Sequence, residues 1–312
     1  MKASADSITV IGIDLGGTRI KGVLLQISTT NSGWSETILE ELVLPTSDDS
    51  TGGWRSIVKE VADTLAAKAA VPVTVGLAAP GLPNATNTAI AFMPGRLSGL
   101  ENFDWSAYLG RPAWVLNDAV AALMAEARLG VAKGYQHVAL LTLGTGVGGA
   151  LLINGKLYQG SFQKAGHIGH MVINDQGEPD VTGMPGSLED AIGNVTIERR
   201  SGGRFQSTSD LLRAAADGDE YAQEVWLLSV RRLAIGIASV TNILSPELVI
   251  LGGGITEAGD QLFHPLEEFM ALYEWRAGGH RAAIRKARFA DRAGAVGAAC
   301  FAADRLIENQ SA

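Results

Sequence analysis

Leu143-Gly144-Thr145-Gly146-Val147-Gly148-Gly149, with the apolar run from His137 before it and the run to Ile153 after it, decides the fold. A GxG pattern invites a dinucleotide reading, but such a turn must pass from a strand into a helix, so that the helix N-terminus meets the pyrophosphate. Here the chain continues as a strand, Gly149 to Ile153, and then turns back at Asn154-Gly155, a pair favoured in tight hairpins. A glycine turn between two strands lets successive backbone N–H groups face outward around phosphate oxygens, because no Cβ blocks the approach. The plain alternative is a hairpin turn with no ligand, although four glycines in six residues exceed what a hairpin needs.

The same grammar opens the chain. Ile8 to Ile13 is an apolar run, Asp14-Leu15-Gly16-Gly17-Thr18 is a turn, and Ile20 to Ile27 is a second run, which predicts another hairpin. Ile38 to Leu44 reads as a third strand. Trp54 to Ala70 is a helix by the spacing of Ile57, Val58, Val61, Ala62, Leu65 and Ala66. Pro72 to Leu77 is a strand stopped by Ala79-Pro80-Gly81, and Ala113 to Leu116 is the last strand of this half. Beyond Ser187 the chain is mainly helical, with Tyr221 to Leu244 the longest helix. Leu248 to Leu251 is a strand running into Gly252-Gly253-Gly254, Arg281 to Arg288 a basic solvated strand or face, and Gly294 to Leu306 a closing helix. The halves repeat one plan, with no low-complexity linker between them, and are expected to meet directly and enclose a cleft. The expected domains are residues 1–117 with a C-terminal helix at about 298–312, and residues 118–297.

Between the glycine turns lies Leu116-Asn117-Asp118-Ala119, a carboxylate that follows an apolar strand and opens a helix of small residues. Asp118 is either the helix N-cap, the commoner role of an Asp at a strand end, or a general base. A phosphate cradle together with a base for a hydroxyl proton describes a kinase of a small alcohol. Asp14 beside a phosphate turn is repulsive unless a cation intervenes, and Mg²⁺, bound largely through water, is the expected cation. Lys21 is either a phosphate ligand or a solvated strand residue. Gly253 and Gly254 suit either a close approach to adenosine or a helix-entry turn.

The chain has 312 residues, 46% hydrophobic and 19% charged, which suits a soluble globular protein of about two domains. A net charge of −8 lacks the basic field needed to bind a nucleic-acid backbone or an anionic membrane, so neither is an expected partner. The single cysteine, Cys300, forbids an internal disulfide and reads as a buried helix position. Met1 to Ser7 carries no apolar run of the signal-peptide kind, and no apolar run approaches membrane-spanning length, so the expected compartment is the cytoplasm.

Five ordered motifs, Asp14 to Thr18, Leu116-Asn117-Asp118, Leu143 to Gly149, Gly166-His167-Ile168-Gly169-His170 and Leu251 to Gly254, resemble those of the ROK family over nearly the whole chain. That family contains bacterial sugar kinases, glucokinases among them, and sugar-responsive repressors. The resemblance implies an α/β fold of two actin-like, ribonuclease-H-like domains, with sugar and Mg-ATP meeting in the cleft between them. It implies a phosphotransferase with an alcohol group as acceptor, glucose by default, and a homodimer. Asp118 would be the base and Asn117 a sugar-hydroxyl ligand. ATP would be held at Gly16, Gly17, Thr18, Lys21, Gly144, Thr145, Gly146 and Gly148, with Gly253 and Gly254 bordering the adenosine and Asp14 serving Mg²⁺. A repressor would need a helix-turn-helix domain ahead of the first turn, and only 13 residues precede Asp14. A non-catalytic sugar sensor would need no base.

The chain also departs from the family pattern. Where family kinases carry Glu-x-Gly-His, whose Glu binds sugar hydroxyls and whose His ligates zinc, this chain has His167-Ile168-Gly169-His170. The following Cys-x-Cys-Gly-x-x-Gly-Cys-x-Glu segment appears as Asp180 to Glu189 with Asp180, Thr182 and Ser187 in place of the cysteines. Such a set does not make an ordinary structural zinc site, so no zinc is expected, and His170 is left to hydrogen-bond the sugar or its own loop. Glu189 matches the family's sugar-contacting glutamate. In Met93 to Asn102, Arg96 stands where the family's sugar loop has Asn, with Asn102 nearby as a possible substitute. Either Arg96 and His167 line the pocket and favour another hexose, an amino sugar or a cyclitol, or both point to water.

Overall fold

The computed structural model describes residues 6–30, 33–46 and 51–311. The polar start up to Ala5 therefore lies outside the described residues. In chain order the strands are β1 (Asp6–Leu15), β2 (Arg19–Thr30), β3 (Gly33–Pro45), β4 (Thr74–Ala79), β5 (Leu82–Pro83), β6 (Ile90–Phe92), β7 (Ala113–Asn117), β8 (Val138–Leu143), β9 (Val147–Ile153), β10 (Lys156–Leu157), β11 (Leu248–Gly252) and β12 (Ala283–Lys286). The helices are α1 (Trp54–Ala66), α2 (Trp105–Leu109), α3 (Asp118–Leu129), α4 (Leu188–Ile192), α5 (Ile197–Arg200), α6 (Thr208–Ala216), α7 (Glu220–Leu244), α8 (Asp260–Tyr273) and α9 (Ala293–Ser311).

The chain divides into two compact units. The first takes the described residues up to Gly134, Gln159–Lys164 and the segment from Asp291 onward; the second takes Tyr135–Tyr158 and Ala165–Ala290. This differs from the expected boundaries at 117 and 297. The physical reason is that α3 packs along α9, and α9 packs on β1 and β4, so all of these stay in the first unit.

In the first unit a five-stranded sheet runs in the order β3-β2-β1-β4-β7. β1 and β2 are the predicted hairpin, antiparallel from Asp6↔Thr29 to Leu15↔Ile20, while β4 and β7 extend the sheet parallel to β1. One face packs on α1 through Val58, Val61 and Leu65, all buried. The other face receives α9 at backbone distance. A Cβ on Gly12 of β1 would lie 1.9 Å from the Ala295 carbonyl oxygen, and one on Gly76 of β4 would lie 1.9 Å from that of Ala298. On its far side α9 meets α3 equally closely, since a Cβ on Gly297 would lie 1.7 Å from the Ala121 carbonyl oxygen. The small-residue run Ala293 to Ala303 is thus a packing device, and it buries Cys300 completely. Arg128 of α3 pairs with Asp304 of α9 at 2.7 Å.

The second unit repeats the plan: β10-β9-β8-β11-β12, with β8 and β9 antiparallel and β11 and β12 parallel to β8. The Asn154-Gly155 turn joins β9 to β10 with both residues at positive φ, 53° and 71°, as a type I′ turn demands. α7, of 25 residues, is long and apolar enough to cross a membrane, contrary to the sequence expectation. Trp226, Val230, Leu233 and Ile237 nevertheless lie in the core of this unit, and Arg231 and Arg232 stand midway along the helix, which is how a core helix of a globular unit is built.

Because the atoms that would meet a new Cβ at Gly12 and Gly297 are backbone, neither site can relax by a rotamer change. Gly12→Ala and Gly297→Ala are each expected to destabilise the chain by about 3 kcal/mol or more, the upper end of overpacking, read as a lowered urea midpoint. Gly144→Ala, with nothing within 4 Å of the added atom, is expected to leave the midpoint unchanged.

Candidate active site

Asp14 is the penultimate residue of β1, opposite Lys21 in the β1–β2 ladder. Asp118 is the first residue of α3, immediately after β7. Strand and helix ends thus bring two carboxylates into one electrostatic field. Burial, then the charge of Asp118, raise the Asp14 pKa to about 7, with Asp291 adding to the rise and Lys21 opposing it. Asp118 is likewise pushed up by burial, against the lowering effects of the Ala119 N–H, the Arg96 charge and Asn117. Its surface is nevertheless open to solvent, so Asp118 is a carboxylate crowded by protein yet reachable by a substrate.

The N-cap of α3 is Asn117, not Asp118. The Asn117 Oδ1 accepts from the Ala119 and Val120 N–H groups, and its Nδ2 donates to the Gly81 carbonyl oxygen at 3.1 Å. The cap accounts for the amide oxygen of Asn117, so of its side chain only a remaining N–H is left for a sugar. Relieved of capping, the Asp118 carboxylate accepts from the N–H of its neighbour Ala119 at 2.8 Å. The N-terminus of α3 favours its ionised form.

Lys21 is paired within the first unit. Its ammonium donates to the Asp291 carbonyl oxygen at 2.8 Å and reaches the Asp291 carboxylate at 3.3 Å, tying β2 to the start of α9. Asp291 has no sequence signal of its own, because its partner lies 270 residues away. In the first turn Gly16 N–H closes on the Arg19 carbonyl oxygen, while the Gly17 and Thr18 N–H groups donate to no described residue.

The loop carrying Arg96 is built into the first unit. Leu97 and Leu100 are buried, Arg55 donates to the Ser98 carbonyl oxygen at 3.0 Å, and Met93 N–H donates to Glu101 at 2.7 Å. Arg96 itself is exposed, and its charge acts on Asp118. Asn102 is exposed at φ 55°, its backbone N–H bound to the Ile90 carbonyl oxygen.

In the second unit the turn from Gly144 to Gly146 joins β8 to β9. Gly144 N–H closes on the Gly146 carbonyl oxygen, and the Thr145 and Gly146 N–H groups donate to no described residue, which suits a phosphate cradle. The glycines have unequal reasons. Space around Gly144 is open, but a Cβ on Gly146 would lie 2.0 Å from the Glu189 carboxylate. That carboxylate accepts from Val147 N–H at 2.9 Å, so one oxygen of the predicted sugar ligand serves the turn. Gly148 lies within β9, beyond the turn itself. Gly253, at φ 85°, is required by the Leu143 carbonyl oxygen, whereas Gly254 has open space.

His167 and His170 hold their rings parallel, 6.3 Å apart. His170 Nδ1 is 3.2 Å from Asp180 Oδ2, and Asp180 Oδ1 accepts from Thr182 N–H, Thr182 Oγ1 and Met184 N–H at 2.8, 2.7 and 3.0 Å. Burial alone would push Asp180 up. Hydrogen bonds from Thr182, Ser187 and the Met184 and Thr182 backbone outweigh it and hold the carboxyl at about 2. His170, Asp180 and Glu189 present donor atoms within 4.8 Å of one another. Both Asp180 oxygens and one Glu189 oxygen are already engaged, and there is no thiolate, so this set does not fit the closed zinc site that the family resemblance implies. The sequence reading counts Asp180 only as a lost cysteine; its carboxylate accepts hydrogen bonds from within its own loop.

A family profile described as ROK family matches residues 10–305. A glucokinase of Thermotoga maritima is 28% identical over 328 residues, covering 96% of this chain and 98% of that protein. An N-acetyl-D-glucosamine kinase of Histophilus somni is 28% identical, covering 93% and 97%. Among solved structures, the ROK hexokinase of Thermus thermophilus superposes with a TM-score of 0.83 at 29% identity, covering 96% of this chain and all of that one. The duplicated sheet is accordingly that of the actin-like ATPase fold.

Two outcomes are expected. An Asp whose folded pKa is raised holds its proton between about pH 4 and 7 in the folded state but not in the unfolded one, so stability falls as pH rises through that window. Asp14→Asn should therefore raise Tm at pH 8 without divalent cations, the gain vanishing near pH 4; an unchanged or lowered Tm at pH 8 contradicts the coupling. Exhaustive chelation of zinc should leave Tm unchanged while Asp180→Ala lowers it. A drop on chelation would mean that a metal, not the hydrogen-bonded cluster, holds the loop.

Proposed function

The chain belongs to the ROK family, and from that premise we propose that it is an ATP-dependent sugar kinase in which Asp118 is the general base for a hexose hydroxyl, in the first instance the 6-hydroxyl of glucose. The observation that carries this reading is the pair Asp14 and Asp118, two carboxylates in one field with an exposed face on Asp118. A protein leaves like charges so placed when a task needs them.

Asp118 accepts the proton of the attacking hydroxyl as its oxygen bonds to the γ-phosphorus, and ADP departs with the electrons of the broken phosphoanhydride bond. The raised pKa brings the carboxylate closer to the working pH, which makes it a stronger base than an exposed Asp. The N–H groups of Thr145 and Gly146 in the second unit, like those of Gly17 and Thr18 in the first, donate to no described residue and are donors available to phosphate oxygens. The carboxylate of Asp14, acted on by the charges of Asp118 and Asp291, is an oxygen donor of the kind Mg²⁺ takes, and the cation's charge would relieve the part of the Asp14 shift that adds to burial through those like charges. When bound, Mg²⁺ neutralises charge on the transferring phosphoryl group. Arg96 lowers the cost of an ionised Asp118 in its absence.

A second reading, a kinase of another hexose or an N-acetylated amino sugar, is favoured by two residues. His167 replaces the sugar-binding glutamate of the family pattern, and Arg96 replaces its Asn with a charge that acts on Asp118. The N-acetyl-D-glucosamine kinase relative supports keeping that acceptor class in view.

The test is Mg-ATP-dependent ADP release across hexoses, N-acetylhexosamines and cyclitols. The expected outcome is turnover on one acceptor class, with kcat reduced about 10²–10⁴-fold by Asp118→Asn and KM for the sugar changed far less. Turnover that survives Asp118→Asn would remove Asp118 from the role of base. Preference for an acceptor other than glucose that reverts toward glucose in Arg96→Asn/His167→Glu would favour the second reading.

A further inference from the structure

We infer that the second unit carries an anion site, outside the proposed active-site residues, for a small phosphate or phosphate ester. A cavity of about 240 Å³ is lined by Arg199, Arg200 and Arg232, together with Asn174, Glu178 and Asp190. That is below the usual size of a drug-like pocket and suits a phosphate alone or a phosphorylated monosaccharide.

Three guanidinium-bearing residues against two carboxylates leave an excess of one positive charge on the lining. The carboxylates do not neutralise it evenly. Asp190 is spent on Arg199, with which it forms an ion pair. Among the described residues, Glu178 forms no ion pair, and Arg232, half-buried on α7, donates no hydrogen bond. Arg200 is fixed from behind: it donates to Thr196 Oγ1 and the Gly193 carbonyl oxygen at 3.0 Å, to the Ile192 carbonyl oxygen at 3.3 Å and to Ser229 Oγ at 2.5 Å. Burial, together with the like charges of Arg232 and Arg199, brings its pKa down to about 10, with Asp190 opposing the fall. The fixed positive charge of Arg200, which keeps one N–H uncommitted, a second guanidinium that donates to no described residue and a shortage of negative charge make up a receptor for an oxyanion.

The cavity also bears on the glycine turn. The Gly193 carbonyl held by Arg200 belongs to a segment whose next two N–H groups, Asn194 and Val195, donate to the Gly144 and Thr145 carbonyl oxygens at 2.9 Å. An anion on the arginines therefore loads the same short segment that supports the proposed phosphate cradle.

Titration calorimetry of the full chain, with inorganic phosphate and with glucose 6-phosphate at constant ionic strength in chloride, tests the inference without reference to turnover. The expected result is a saturable site, distinct from any binding at the glycine turns, that Arg232→Gln weakens at least about tenfold, that Arg232→Lys weakens less, and that Asp118→Asn leaves unchanged. Tighter binding of the ester would identify a sugar phosphate as the ligand, and equal binding the free anion. Absence of saturable binding, or binding indifferent to Arg232→Gln in a variant with unaltered Tm, overturns it. Failure of every acceptor in the kinase assay would leave this measurement untouched.

Discussion

Backbone contact between α9 and the first-unit sheet is the constraint from which the chemistry of that unit follows. α9 can lie on β1 and β4 only because Gly12 and Gly76 present no Cβ to it, and α3 can lie on α9 only because Gly297 does the same. The start of α9 then passes so near the end of β1 that a Cβ on Gly294 would come 2.7 Å from the Asp14 carboxyl carbon. α3 delivers Asp118 to the same neighbourhood, and Lys21 locks the entry to α9 through Asp291. Crowding by small residues, rather than any hydrogen bond, accounts for the leading burial contribution that raises both carboxyls.

The second unit uses the same strand order for a different purpose. Its hairpin turn lacks a preceding carboxylate and is instead buttressed by α4 and the residues after it, through Glu189 on Val147 and through Asn194 and Val195 on the turn carbonyls. The neighbouring loop is stitched by Asp180 through four hydrogen bonds with His170, Thr182 and Met184, at a position where the family pattern has a cysteine. Hydrogen bonds to a buried carboxylate are stabilising in proportion to how fully it is satisfied. In Asp180 that satisfaction shows as a depressed pKa despite burial.

Local features of this architecture were legible in the sequence, and long-range ones were not. Apolar runs joined by glycine turns marked both hairpins, Asn154-Gly155 marked the tight turn after β9, and helical spacing marked α1 and α7, with ends a few residues off. The unit boundaries were misplaced because what keeps α3 in the first unit is its packing on a helix more than 160 residues later, which no local pattern reports. Asn117 and Asp118 are adjacent and both favour capping, so only the geometry decides that Asn117 caps and Asp118 is left available. Lys21 read as either a phosphate ligand or a solvated strand residue, and its contact with Asp291 was invisible to spacing. Gly146 read as a phosphate glycine and Gly253 as an adenosine-bordering or helix-entry glycine, whereas the Glu189 carboxylate and the Leu143 carbonyl oxygen each leave no room for a Cβ there.

The claim at the centre of this account is that Asp14 and Asp118 share one field that a divalent cation relieves. Carboxyl ¹³C chemical shifts of Asp-labelled protein, followed from pH 4 to 9, measure it directly. The account predicts that Asp14 titrates near pH 7 in the metal-free protein, and that Mg²⁺ or Asp118→Asn moves the midpoint down. A midpoint near 4, indifferent to both Mg²⁺ and Asp118→Asn, would contradict it.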